Sequence, residues 1–129
     1  MKGLIKDYTD KYPEIIIDKS TGIFEIKGVS LPEDGKEFYQ NVLDLLDDYV
    51  RAPHHTTHFT FNMRYFNISS SKMFLFMFYK LLEIPKTGNS VTVTWYYEDD
   101  DILEAGHDYA HMIDLPFQFK CVEEECLVF

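Results

Sequence analysis

Three consecutive serines, Ser69, Ser70 and Ser71, stand between an alternating apolar run and a dense apolar run of helical character. A serine hydroxyl at such a corner can accept a hydrogen bond from a backbone N–H that the first turn of a helix leaves without a partner. It can also carry a phosphoryl group, which brings nearly two negative charges and three acceptor oxygens. The free N–H groups and dipole at a helix start tolerate that charge. One cap needs one residue, and Asn67, Ser69 or Ser70 can each supply it; three adjacent hydroxyls exceed that need. Capping alone is the simpler account of the corner, and a modification site among the three serines is the alternative that the surplus hydroxyls suggest.

The other chemistry-bearing groups are less organised. Glu98, Asp99, Asp100 and Asp101 put four carboxylates together, a conceivable magnesium site for a small metal-dependent enzyme. No phosphate-cradling glycine loop accompanies them, and a solvated loop with Asp100 or Asp101 capping the next helix is the simpler account. His54, His55 and His58 cluster before a strand, and His107 and His111 share a helix face, but neither group comes with an HExxH pattern or a cysteine. Cys121 and Cys126 alone make a poor zinc signal. No G-x-S-x-G elbow surrounds the serines. No catalytic residue, metal or cofactor is expected.

The elements that must hold the serines follow from periodicity. Residues 15–18 and 23–27 read as short strands joined by a turn in which Gly22 can take positive φ. In residues 36–50, Phe38, Val42, Leu45, Leu46 and Tyr49 follow helical spacing, opposite an acidic face. Residues 58–66 alternate, with Phe59, Phe61, Met63 and Tyr65 on one face. A second helix is expected from Ser69 to about Glu83, a strand over 91–97 with Val91, Val93, Trp95 and Tyr97 inward, a third helix over 101–113 and a last strand over 117–122. Strands buried on both faces would be apolar throughout; these alternate. The order β-β-α-β-α-β-α-β therefore predicts a two-layer α/β domain, a mixed sheet with helices packed on one face.

The second helix is apolar nearly all round. Phe74, Met77, Phe78 and Leu81 make the stripe that faces the sheet, which leaves some of Met73, Phe76 and Tyr79 for neighbouring helices or solvent. An apolar patch beside a modifiable hydroxyl suits a docking surface. Phosphate placed there would weaken an interface matched to an uncharged corner and leave the fold intact.

With 129 residues and 46% hydrophobic content, the chain suits one domain with its own core, residues 1–13 being polar and loosely held. A net charge of −10 disfavours nucleic acid and anionic membranes. No segment nears the roughly 18 apolar residues of a membrane span, and residues 1–14 hold no signal-peptide core. The expected compartment is the cytoplasm, with reduced thiols.

Four stretches, "GVSLPED" at 28–34, "YFNISSSK" at 65–72, "VTVTWYYEDDD" at 91–101 and "EAGHDYAHMIDLPFQF" at 104–119, resemble the SiaC family of bacterial regulatory phosphoproteins. The resemblance implies a STAS-like (SpoIIAA-like) fold and no enzymatic activity. It implies a partner switch: phosphorylation by a SpoIIAB-like serine/threonine kinase, dephosphorylation by a PP2C-type phosphatase, and binding of a target such as a diguanylate cyclase by the unphosphorylated form. The family's acceptor is typically the threonine of Tyr-x-Asn-Thr-Ser-Ser. Tyr65, Asn67, Ser69 and Ser70 match that pattern, but the acceptor position holds Ile68. Either an adjacent serine takes over, Ser69 before Ser70, or the chain is an unmodified docking module in which Ile68 packs against its partner. Tyr65, Asn67, Ile68, Ser71, Lys72, Met73 and Phe76 are the expected partner contacts.

Overall fold

The computed structural model describes residues 5–6 and 9–122. Nine elements run in the order β1 (Ile5–Lys6), β2 (Glu14–Asp18), β3 (Ile23–Ser30), α1 (Gly35–Tyr49), β4 (Thr56–Phe66), α2 (Ile68–Leu81), β5 (Ser90–Tyr97), α3 (Asp100–Met112) and β6 (Phe117–Cys121), with a short 3-10 turn at Pro85–Thr87. The sheet order is the chain order, β1-β2-β3-β4-β5-β6. The first three strands pair antiparallel and β3 through β6 pair parallel. Three right-handed crossovers that all step the same way along the sheet must place all three helices on one face, with α2 in the middle. The fold is the two-layer α/β arrangement that the alternating strands predict, and it is consistent with the STAS-like fold that the family resemblance implies.

Strand alternation builds the core. Phe59, Phe61 and Met63 of β4 and Val91, Val93 and Trp95 of β5 are buried beneath Phe74, Met77, Phe78 and Leu81 of α2. The intervening residues pair across the uncovered face, Thr60 with Thr94 and Asn62 with Tyr96, and stay half-exposed. Gly22 turns β2 into β3 at φ +73°. α3 lies directly on Trp95, whose indole Nε1 donates to the Ile102 carbonyl at 2.8 Å. A Cβ on Gly106 would meet that ring within 2.5–2.8 Å, so only glycine lets the helix seat there.

Four readings need correction. β1 adds a sixth strand at the edge, Ile5 opposite Ile16, too short to leave a periodic signal. Residues 9–12 are tied down, because Leu31 N–H donates to the Lys11 carbonyl at 2.8 Å. Tyr65 does not follow the inward face of β4: the parallel register slips between Gly28 and Val29, where Gly28 takes φ +116°, and the strand turns Tyr65 outward and Phe66 inward against Phe74 and Trp95. Finally, Cys121 is disulfide-bonded rather than reduced; Cys126 lies outside the described residues.

Candidate functional site

Two helices begin side by side at the C-terminal edge of the parallel strands. α1 starts after Asp34, whose carboxylate accepts from Glu37 N–H at 3.1 Å. α2 starts after Asn67, whose side-chain oxygen accepts from Ser70 N–H at 2.9 Å. The cap of α2 is thus Asn67, one of the three candidates, and the serines are released from that task. Asn67 also ties the starts together: its backbone N–H donates to the Ser30 carbonyl at 3.0 Å and its side-chain N–H to the Pro32 carbonyl at 2.9 Å.

The three serines have three different fates. Ser69, half-buried, turns its hydroxyl toward the neighbouring helix and accepts from Gly35 N–H at 2.6 Å. Gly35 must be glycine, because a Cβ there would strike the Ser69 hydroxyl and lie 2.7 Å from its carbonyl oxygen. Ser70 is fully buried, its hydroxyl 2.7 Å from that of Ser30, which in turn bonds the Tyr39 hydroxyl. Ser71, half-buried, donates to the Ile68 carbonyl at 2.8 Å, and its own carbonyl accepts from the Tyr109 hydroxyl at 2.8 Å. Ser70 is therefore withdrawn as an acceptor: its hydroxyl points into the sheet, where no modifying enzyme can reach it.

Around them the surface is apolar. Ile68, at the first position of α2, is 79% exposed, Tyr65 56% and Phe76 45%. Lys72 is exposed beside them. Ile68, Lys72, Phe76 and Tyr79 recur at helical spacing and form one outward stripe. Met73 does not join it. α2 is the middle helix, so its flanks are covered as well as its underside, and Met73 is buried.

The remaining candidates resolve into structure. Asp99, rather than Asp100 or Asp101, caps α3 by accepting from Ile102 N–H at 2.9 Å. His54 and His55 stack on each other at 4.4 Å, and His107 packs on Phe119. Among the described residues no group of three or more His, Cys, Asp or Glu can hold a metal ion, and no helix is long and apolar enough to cross a membrane. Sequence reasoning missed Ser30, Pro32, Gly35 and Tyr39 as the platform of the corner; only Asp34 before an amphipathic run signalled it, as a cap.

Two outcomes can be measured here. Asn67→Ala removes the α2 cap and leaves the Pro32 carbonyl short of a donor, so unfolding stability should fall by about 1–2 kcal/mol in a urea titration. Alkaline pH should act through two phenols. Burial raises the pKa of both Tyr39 and Tyr109, against the smaller opposing effect of their hydrogen bonds. They stay protonated in the fold above a pH of about 10, where unfolded tyrosine ionises. Stability is therefore intact below that pH and lost progressively above it. Tm should fall on raising the pH from about 9 to about 11, and less steeply in Tyr39→Phe.

Comparison with known proteins places this geometry in context. Residues 6–122 match the family described as SiaC family regulatory phosphoprotein. An uncharacterized protein of Pseudomonas aeruginosa (strain UCBPP-PA14) is 23% identical over 118 residues, spanning 90% of this chain and 94% of that one. Crystal structures of similar fold include apo-SiaC from P. aeruginosa, with a TM-score of 0.84 and 22% identity over 93% of this chain and 98% of that one. A chain in the P. aeruginosa complex of the diguanylate cyclase SiaD with its activator SiaC superposes with a TM-score of 0.85 at 22% identity, over 92% of this chain and 99% of that one.

Proposed function

The chain belongs to the SiaC family of regulatory phosphoproteins, a regulatory protein rather than an enzyme, and we propose that it is a partner switch whose docking surface is the corner at the start of α2. In the unmodified form, Ile68, Tyr65, Phe76 and Lys72 contact a target protein. A diguanylate cyclase is the target class the likeness supports, since SiaC of P. aeruginosa is the activator of one. A SpoIIAB-like kinase and a PP2C-type phosphatase of the same compartment set the state. The observation that carries the reading is the exposed apolar stripe of Ile68, Phe76 and Tyr79 beside Tyr65, headed by Ile68 at 79% exposure; contiguous exposed apolar surface of this kind marks a protein interaction site.

Ser69 is the acceptor in this scheme. It lies one residue from Ile68, is half-exposed, and sits where two helix N-termini bring positive dipole to a phosphate and Gly35 N–H already points at its hydroxyl. A phosphate there would take the place of the hydroxyl's bond to Gly35, beside a loop that already carries Glu33 and Asp34. The added charge would therefore oppose the apolar patch that the partner lays against Ile68 and strain the adjoining acidic loop.

A second reading has its own support: the Ser69 hydroxyl is already engaged at 2.6 Å and Ile68 cannot be modified, as befits a constitutive docking module. Intact-mass measurement after incubation with the SpoIIAB-like kinase of the same genome separates the two. The switch predicts a gain of one phosphate that Ser69→Ala abolishes and Ser71→Ala does not. No gain in mass assigns the chain to constitutive docking.

A further inference from the structure

Next to the corner, between the start of α1 and residues 11–12, lies a cavity of about 520 Å³ that the docking stripe does not use. That volume lies in the range of small-ligand pockets of about 300–1,000 Å³ and readily accommodates a long side chain. Its apolar lining is Leu31, Pro32 and a pair of stacked rings, Tyr12 and Phe38, with centroids 5.1 Å apart and planes 20° from parallel. Tyr12 remains 41% exposed. Its walls carry Glu33 and Glu37, both exposed, against a single cation, Lys11. Among the described residues neither glutamate forms an ion pair. Asp34, the third carboxylate, is occupied in capping α1.

An aromatic face with two unpaired carboxylates at its edge is complementary to a guanidinium, which stacks flat on rings and pairs with carboxylates through parallel N–H donors. An ammonium matches only the charge. The cavity is also continuous with the docking corner: Pro32, in its wall, accepts from the Asn67 side chain, and the next residue after Asp34 is held by Ser69. We propose that the cavity receives an arginine side chain of the protein that docks on Ile68, so that the partner presents an apolar patch and, beside it, an arginine. This rests on the docking reading above and adds the chemistry of the partner to it. The negative net charge favours the same basic partner surface.

The test uses the full chain, labelled with 15N, and three probes: N-acetyl-arginine amide, the lysine analogue, and the citrulline analogue, which keeps the shape of arginine without its charge. The expected result is saturable amide shifts at Tyr12, Glu33 and Glu37 with arginine, weaker ones with lysine and none with citrulline. The Glu33→Gln/Glu37→Gln double variant, its Tm checked against the parent, should bind arginine about tenfold or more weakly, the loss of charge-assisted hydrogen bonds. Ile68→Asp should bind arginine as the parent does. Absence of saturable shifts at these residues, equal binding of citrulline, or unchanged affinity in the double variant overturns the cavity assignment. Because the readout needs neither the target nor the kinase, that failure would leave the Ile68 docking reading standing, and a failure of docking is read separately, in the titration of the Ile68→Asp variant against the target.

Discussion

Gly35→Ala should lower the stability of the domain by about 3 kcal/mol, the upper part of the range for overpacking. At the first position of a helix the same change would ordinarily stabilise slightly, since alanine restricts the unfolded chain more than glycine does. Here the new methyl would meet the Ser69 hydroxyl and lie 2.7 Å from its carbonyl oxygen and 2.9 Å from its carbonyl carbon. Two of those atoms are backbone, inside the first turn of a helix pinned by Asn67, so they cannot swing aside. Either α1 or α2 must shift, and the bonds from Asn67 to Ser30 and Pro32 stretch with it. Thermal unfolding should show a drop of roughly 10 °C. Removing the hydroxyl with Ser69→Ala in the same chain should recover only part of it, because the backbone collisions remain. An unchanged Tm would mean that the two helix starts are not held against each other as described.

Ile68→Asp should have the opposite signature. The side chain is 79% exposed and supports little of the core. An acidic residue in the first turn of α2, which has none, interacts favourably with the helix dipole, by about 0.3–1 kcal/mol. Tm should therefore hold or rise. Docking should collapse: losing a buried aliphatic contact costs about 2 kcal/mol, and desolvating an unpaired carboxylate in its place at least as much again, a weakening of about a thousandfold or more. Titration calorimetry against the target reads the affinity and differential scanning calorimetry the stability. Loss of both together would mean that Ile68 is structural; loss of neither would put the interface elsewhere.

These two substitutions mark what could and could not be read from the chain. Period-2 and helical spacing, with turn signals, located eight of the nine described strands and helices and the single-sided layer, because burial against one face leaves a pattern in consecutive residues. β1 escaped because two residues carry no period. Tyr65 was assigned to the wrong face because its orientation depends on a slip in the pairing with β3, at Gly28, 37 residues earlier, which no local pattern records. Ser70 looked as available as Ser69 for the same reason: what buries it is Ser30, forty residues away. Asn67 was legible as a cap, since capping is local. That Ile68 stands at the modification position came from resemblance to a family motif; its exposure came from the fold.

The account turns on where the target sits. With the 15N-labelled chain and the diguanylate cyclase of the same genome, amide perturbations should gather at residues 65–79 and at 32–38, and the open sheet face at Thr60, Thr94 and Tyr96 should stay unmoved. Perturbations confined to that open face, with Ile68 and Phe76 unchanged, would contradict it.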